Sequence, residues 1–358
     1  MTFLIQQTLL FAIPLMIVAL AGVFSERSGI INLALEGIMI MGAFIGVLAV
    51  RMLQDVPAFQ QAAEQVRLLN SGVTEGVSKT AWLKLQGMEV LCMLIAAAAG
   101  AIFSLLLSYA SINLKADQTI GGTALNLLAP AISLFLIRII VNQNTMGMAN
   151  AASGASWFLV KKSFFGFAEN EKMGFLGSTF VDKTYLATYL TIIIFVLMSI
   201  FLYKTRFGLR LRSCGENPQA ADSLGINVKK MRYAGVTISG ALAGMGGFVY
   251  ALTTQGCTTN GDVAGFGFLA LAVMIFGNWK PLNIAGGALL FGLFKCIAAS
   301  YSTLDINGDG RFWLGELGIS SYIYRLLPYV ITLIVLALTS KSSRAPKAEG
   351  IPYDKGKR

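Results

Sequence analysis

Long apolar runs occupy most of this 358-residue chain, and they restrict its fold more than any other feature. Eight or nine runs approach the about 20 apolar residues that a helix needs to cross a bilayer. The chain is 55% hydrophobic and 13% charged, whereas soluble domains carry about 25% charged residues. The sequence therefore predicts an all-α, polytopic membrane helical bundle with about nine transmembrane helices, within a range of eight to ten.

Basic residues are concentrated in two parts of the chain. Residues 204–232 and the tail from 340 onward carry 13 of the 28 Lys and Arg residues, so the positive-inside rule assigns both to the cytoplasm. The same rule accounts for the net charge of +10, and no nucleic-acid partner is predicted. The resulting topology has a transmembrane domain over 1–340 with a cytoplasmic loop at 204–232, external inserts at 51–87, 142–183 and 301–321, and a basic cytoplasmic tail at 341–358.

Residue types that support catalysis are scarce. The chain contains no His, which is the commonest general base and metal ligand. Its four cysteines show no CxxC spacing, so we expect free structural thiols rather than a disulfide framework. No clustered pair of acidic residues compensates for the missing His. These observations argue against an enzyme.

Two local patterns predict how segments pack. Small residues dominate 96–101 and 239–247, and such stretches let helix backbones approach closely in lipid. In the insert 51–87, apolar residues recur at helical spacing and predict a short amphipathic helix; they are Phe59, Ala62, Val66 and Leu69.

The basic loop contains the pattern of a short capped helix. Asn217 suits the N-cap and Pro218 the first helical position, and Gly225 ends the helix after about two turns. Ala220 and Leu224 share one face, which indicates a helix presented to a partner; an ordinary capped loop helix is the alternative. The predicted element comprises Gly215, Glu216, Asn217, Pro218, Ala220, Ala221, Leu224 and Gly225.

Three of the polar residues within the apolar runs are candidate site residues. Because an ionised carboxylate at the centre of a bilayer costs about 2.5–3.5 kcal/mol on insertion scales, Glu36 should face protein, water or a partner. Asn32 lies on the same helical face, and Asn126 provides a polar position in another run. We interpret all three as candidate substrate-pathway residues. Contacts that stabilise a helix break inside the bundle are the alternative.

Residues 305–316 match the calcium-loop pattern D-x-[DN]-x-[DN]-G-x5-E. A calcium ion outside the membrane would be bound by Asp305, Asn307, Asp309 and Glu316. However, the loop lacks the paired EF-hand, and turns rich in Asp and Asn produce this pattern by chance. External calcium is therefore a candidate ligand, and no metal site is assigned.

Four segments, in order, resemble a known transport family: 28–48, 116–136, 205–232 and 265–293. They are similar to the permease subunits of binding-protein-dependent ABC importers, the family that includes simple-sugar and branched-chain amino acid permeases. The sequence LEG at 35–37 and TALNLLA at 123–129 look most like the nucleoside-importing branch. Within that branch the chain resembles the smaller of two paired permeases.

This resemblance implies a permease subunit that forms a pathway for nucleosides and contains no catalytic site. A separate cytoplasmic ABC ATPase would bind ATP and Mg, and the helix within 215–225 would couple to it. A second, distinct permease and an extracytoplasmic substrate-binding lipoprotein would complete an importer in the bacterial inner membrane, in contact with its lipids. The chain lacks a GxxxxGK[ST] loop for binding ATP phosphates, in agreement with a separate ATPase.

Two alternatives remain open at this stage. A sugar or branched-chain amino acid permease of the same superfamily would share these segments. A secondary transporter, which needs no ATPase, would also have broken helices and internal repeats. The capped cytoplasmic helix favours the ATP-driven class.

Overall fold

The described residues form a bundle of α-helices with one short pair of strands. The computed structural model describes residues 2–70, 79–148, 157–160, 174–181, 183–302, 316, 320–339 and 344–355. The helices are α1 (Thr2–Glu26), α2 (Leu35–Leu53), α3 (Pro57–Asn70), α4 (Lys79–Ser108, followed by a π-helical turn at Tyr109–Asn113), α5 (Gln118–Val141), α6 (Phe175–Phe180), α7 (Leu186–Lys204), α8 (Arg206–Glu216), α9 (Pro218–Ser223), α10 (Val228–Thr253), α11 (Phe266–Phe276), α12 (Pro281–Ser300) and α13 (Ser321–Thr339). The strands β1 (Leu159–Val160) and β2 (Thr184–Tyr185) pair antiparallel.

Seven helices in the described ranges are long and apolar enough to cross a membrane. They are α1, α2, α4 with its π-helical turn, α5, α7, α10 and α12. Helix α11 is apolar but has only 11 residues, a length of about 16 Å against a hydrocarbon core of about 30 Å. The polytopic helical class is confirmed, whereas the predicted count of about nine spans is not.

The centre of the bundle is formed by α1, α2 and α10. Helix α10 packs against α1, α2 and α4, and most residues of α1 and α10 are buried. In contrast, α5 and α7 expose large apolar side chains, such as Leu127 and Leu197. Such exposed apolar faces are suited to lipid or to a second membrane subunit.

Glycine residues allow α10 to contact α2 and α4 backbone to backbone. A Cβ atom on Gly244 would lie 2.5 Å from the carbonyl oxygen of Ala96, and one on Gly247 would lie 2.0 Å from that of Met39. A Cβ on Gly42 of α2 would lie 2.1 Å from the carbonyl oxygen of Gly244. The small-residue stretches 96–101 and 239–247 thus form the close helix contacts that the sequence predicts.

The insert after α2 is helical and packs as a small separate layer. Helix α3 buries Ala62, Ala63 and Val66 against Ala81 and Leu85 at the start of α4. This arrangement confirms the amphipathic helix predicted from the spacing of apolar residues. The four cysteines are also free and buried, as expected.

We predict that Gly244→Ala destabilises the folded protein by about 1–3 kcal/mol, because the new methyl group forces backbone segments apart. Gly286→Ala on α12 is the matched control, since a Cβ there meets no atom within 4 Å. It should be neutral or stabilise the helix by up to about 1 kcal/mol. Thermal unfolding in detergent measures both variants. Equal stability of the two variants would contradict the close-contact interpretation.

Candidate functional site

Two helices begin inside the bundle, and their first turns lie side by side. Helix α2 starts at Leu35, after the non-helical segment 27–34 that follows α1, and α11 starts at Phe266. The first N–H groups of a helix have no acceptor within that helix. Because they cannot be hydrated inside a membrane bundle, they need acceptors from other parts of the chain.

Glu36 supplies these acceptors to α11. Its Oε1 accepts from the N–H of Gly265 at 2.9 Å, and its Oε2 accepts from Gly267 at 2.6 Å and Phe268 at 3.3 Å. The side chain is buried. A carboxylate at a helix N-terminus is stabilised by the partial positive charge of that end, so the interaction suits both partners.

Asn126 of α5 performs the same task for α2. Its Oδ1 accepts from the N–H of Gly37 at 2.8 Å, and its Nδ2 donates to the carbonyl of Leu33 at 2.7 Å. Asn32 donates from Nδ2 to Ser239 Oγ on α10 at 3.0 Å. The break between α1 and α2 is thereby attached to both α5 and α10.

The structure thus brings Asn32, Glu36 and Asn126 together around the starts of α2 and α11. Each forms hydrogen bonds within the protein, which is the arrangement expected for contacts that stabilise a helix break. Their role in a substrate pathway stays a prediction. The neighbouring half-length helix α11 is of the kind that lines binding sites in some membrane transporters, so the position itself favours such a role.

Lys295 is a further polar residue of this region, beyond the three candidates predicted from the sequence. Its ammonium group donates to the carbonyl of Ala264 at 3.2 Å and lies 4.9 Å from the ring centre of Phe266 and 5.5 Å from that of Tyr329. These aromatic rings stabilise the cation through cation–π interactions. A lone Lys within an apolar run is the sequence signal that identifies such a residue.

The second candidate site is the predicted partner-binding helix, α9. Asn217 caps α9, accepting from the N–H of Ala220 at 3.0 Å, and Pro218 is the first helical residue. The chain leaves the helix through Gly225, whose φ of +79° is unfavourable for other residues. The capped helix is present as predicted. An additional helix, α8, precedes it, in a region predicted from the sequence to be loop.

The two faces of α9 differ in exposure. Ala220 and Leu224 are exposed, Leu224 by 82%. Ala221 is buried in a small apolar cluster with Cys214 and Val228, against which Ile226 and Tyr353 pack. The exposed pair is therefore available to a partner, while the buried side holds α9 in place.

The residues before α9 contact the break after α1. A Cβ on Gly215 would lie 2.4 Å from the carbonyl oxygen of Arg27, so the two backbones are in direct contact. Glu216 forms an ion pair with Arg27, with 3.1 Å between Oε1 and Nη1. The residues that follow α11 are attached to the same place, because Nε1 of Trp279 donates to Oε2 of Glu26 at 2.5 Å.

The C-terminal residues 344–355 lie on this surface. Burial raises the pKa of Glu349 to about 7, although the carboxyl of Glu26 and the guanidinium of Arg27 beside it act in the opposite direction. The docked position therefore favours the protonated form of Glu349 more than the undocked tail does.

The candidate calcium loop is not part of either site. Asp305, Asn307 and Asp309 lie outside the described residues, and Glu316 is exposed. In the described part of the chain, no group of three acidic or Cys side chains is arranged to hold a metal ion. Calcium binding stays a prediction of the sequence pattern alone.

Comparison with known proteins identifies the family. Residues 4–336 match the family described as the permease component of branched-chain amino acid transport systems. The chain belongs to this permease family. The permease is 38% identical to the nucleoside ABC transporter permease protein NupC of Lactococcus lactis, over 99% of this chain and 97% of that protein.

Two further relatives extend the comparison. The guanosine ABC transporter permease protein NupQ of Bacillus subtilis is 38% identical over 100% of the permease and 98% of its own length. The nucleoside ABC transporter permease protein NupB of L. lactis is 24% identical, over 79% of the permease and 68% of NupB. No solved structure matches the chain significantly.

We predict that Glu36→Ala destabilises the permease by about 2–4 kcal/mol, because it leaves one buried and two part-buried N–H groups at the start of α11 without their acceptor. Glu36→Gln retains one acceptor oxygen and should cost less. Glu64→Ala is the control, since Glu64 forms only an exposed ion pair with Arg67 on α3, worth about 0–1 kcal/mol. Thermal unfolding compares the three. If Glu36→Ala behaves like Glu64→Ala, the proposed capping of α11 is wrong.

We predict that docking of the C-terminal tail weakens as the pH rises. Docked Glu349 holds its proton up to a pKa of about 7, against an ordinary value of 4.5. Docking therefore takes up a proton between these values, is strongest below the ordinary value and weakens as the pH rises through about 7. The rate of tryptic cleavage at exposed Lys347, divided by that of Glu349→Gln at the same pH, should rise between pH 6 and 8. A constant ratio would contradict this linkage.

Proposed function

We propose that this permease forms the membrane pathway for nucleosides in an ATP-driven importer. The observation that carries the proposal is the 38% identity, along nearly the full length of each chain, to two permeases named for nucleoside and guanosine transport. The resemblance of residues 35–37 and 123–129 to the nucleoside-importing branch supports the same substrate class. Both segments contribute to the polar contacts around Glu36 and Asn126.

The importer that we propose contains three further kinds of subunit. A second permease, distinct from this one, pairs with it, as the similarity of the chain to both NupB and NupC suggests. An extracytoplasmic lipoprotein delivers the nucleoside, and a cytoplasmic ABC ATPase supplies the energy. In this proposal the permease has no enzymatic activity, because ATP and Mg bind to the ATPase, and it lies in the bacterial inner membrane with its C-terminus in the cytoplasm.

We propose α9 as the helix that couples the permease to this ATPase. The exposed side chains of Ala220 and Leu224 would enter a groove of the ATPase, while Asn217 and Gly225 keep the helix short and rigid. Closure of the ATPase dimer on ATP would move α9 and, through Gly215 and Glu216, the break between α1 and α2. The exposed polar residues of the loop that do not contact the break would only help to fix the orientation of the chain in the membrane.

Uptake of labelled substrates by cells that express the complete importer tests the substrate class. We expect transport of guanosine and uridine that is not inhibited by excess ribose or leucine. Cells that lack the permease are the control. Inhibition of nucleoside uptake by leucine or by a sugar, or transport of these compounds instead, would favour the alternative permease classes and would overturn the nucleoside assignment.

We predict that the double variant Ala220→Glu/Leu224→Glu reduces uptake at least tenfold, because two carboxylates cannot be buried in an apolar groove. Its amount in the membrane should not change, since both side chains are exposed. Leu114→Glu is the matched control: Leu114 is 64% exposed and lies outside α9, in the linker between α4 and α5, so uptake should be retained. Undiminished uptake by the double variant would refute the coupling role of α9.

A further inference from the structure

The C-terminal tail, residues 344–355, is attached to the bundle through its backbone. The N–H of Ala348 donates to the carbonyl of Gly215 at 2.9 Å, and that of Gly350 donates to the carbonyl of Gly29 at 3.3 Å. Gly215 precedes α9 and Gly29 belongs to the break between α1 and α2. The tail therefore bridges two segments that are far apart in sequence.

Helix α10 is attached to the same stretch of tail. Arg232, in the first turns of α10, has a side chain that is only 1% exposed, and its Nη1 donates to the carbonyl of Ile351 at 3.0 Å. Burying a guanidinium is costly unless it is hydrogen-bonded. The tail supplies an acceptor for this buried group, so it is part of the folded unit.

The last described residues of the tail contact the buried side of α9 and the linker between α4 and α5. Tyr353 packs against the cluster of Cys214, Ala221 and Val228 that holds the buried side of α9. Asp354 then forms an ion pair with Lys115 of the linker between α4 and α5, at 3.0 Å. The tail consequently contacts the base of α9 on one side and a neighbouring linker on the other.

The path of the tail requires glycine at two contact points. Gly29 and Gly350 have φ angles of +94° and +75°, a region that other residues rarely adopt. A Cβ on Gly29 would lie 2.8 Å from Nη2 of Arg232, and one on Gly350 would lie 2.9 Å from Cδ1 of Ile31. Both glycines are thus required by the contact between the tail and the break.

From these contacts we infer that the tail positions α9 relative to the α1–α2 break, so that movement of α9 is transmitted to the spans. This inference rests on the proposed coupling role of α9. Helix α9 has only six residues and few buried side chains, so its own packing provides limited rigidity. The tail adds a connection from the base of α9 to segment 27–34, whose polar contacts in turn attach it to α5 and α10.

A purely electrostatic role for the tail does not explain these contacts. Its basic residues Arg344, Lys347 and Lys355 are exposed, and the positive-inside rule alone would require nothing more than their charge. The backbone hydrogen bonds, the buried arginine and the paired glycines instead specify one position for the tail.

The test uses the complete importer in proteoliposomes and measures the number of ATP molecules hydrolysed per nucleoside imported. Two variants remove the tail contacts: a chain that ends at Arg344, and Gly350→Val. Gly256→Val is the matched control, because Gly256 also has a positive φ, of +66°, but open space around its Cβ. We expect the first two variants to hydrolyse ATP at the rate of the unaltered importer but to need at least fivefold more ATP per nucleoside. The control should keep the ATP-to-nucleoside ratio of the unaltered importer.

The outcomes separate this inference from the proposed function. If the shortened chain does not reach the membrane, the number of ATP molecules that Gly350→Val hydrolyses per nucleoside tests the inference by itself. An unchanged ratio in Gly350→Val, or an equal rise in Gly256→Val, overturns the positioning role of the tail. If Ala220→Glu/Leu224→Glu still abolishes uptake in that case, the coupling role of α9 stands without the tail. If the double variant imports normally, the coupling proposal itself fails.

Discussion

The hydrogen bonds that Glu36 accepts from the start of α11 are the interaction on which the rest of the structure depends. A helix that begins inside a membrane bundle exposes N–H groups where no water can accept from them. Glu36 satisfies these groups on α11 while it lies in the first turn of α2, whose own start is satisfied by Asn126. One small polar network therefore makes two broken helices compatible with an apolar bundle. The close packing of α10 against α2 and α4 then encloses the network, because Gly244 and Gly247 let the backbones meet.

Much of this architecture follows from local patterns in the sequence. Apolar runs, small-residue stretches and capping residues act over a few positions, so the helical membrane class, the α10 contacts and the capped helix α9 could be predicted. The count of spans was not confirmed: seven helices in the described part of the chain are long and apolar enough to cross a membrane, and α11, formed by another apolar run, has only 11 residues. The partners of Asn32, Glu36 and Asn126 could not be derived either, since they depend on which helices become neighbours.

The tail shows the same limit more clearly. Its composition is polar and basic, and sequence patterns accordingly indicate only a solvated cytoplasmic segment. Its contacts with Gly29, Gly215 and Arg232 join residues that are more than 100 positions apart, and no local rule reports on them. Helix α8 was missed for a related reason: its many charged residues resemble a loop, and only tertiary packing buries Leu211 in the main core and Cys214 in the cluster with Ala221 and Val228.

The burial of the thiols has a practical consequence for studying the transport cycle. Thiol reagents attack the thiolate, so a buried cysteine with a raised pKa reacts slowly. All four cysteines are buried, and burial raises the pKa of Cys257 to about 12 and also raises that of Cys214. The natural chain therefore offers a nearly silent background for site-directed labelling. A single cysteine introduced on an exposed surface of α9 or of the tail would report its movement spectroscopically once Cys214, which packs against both, is replaced, with the other three native thiols left in place.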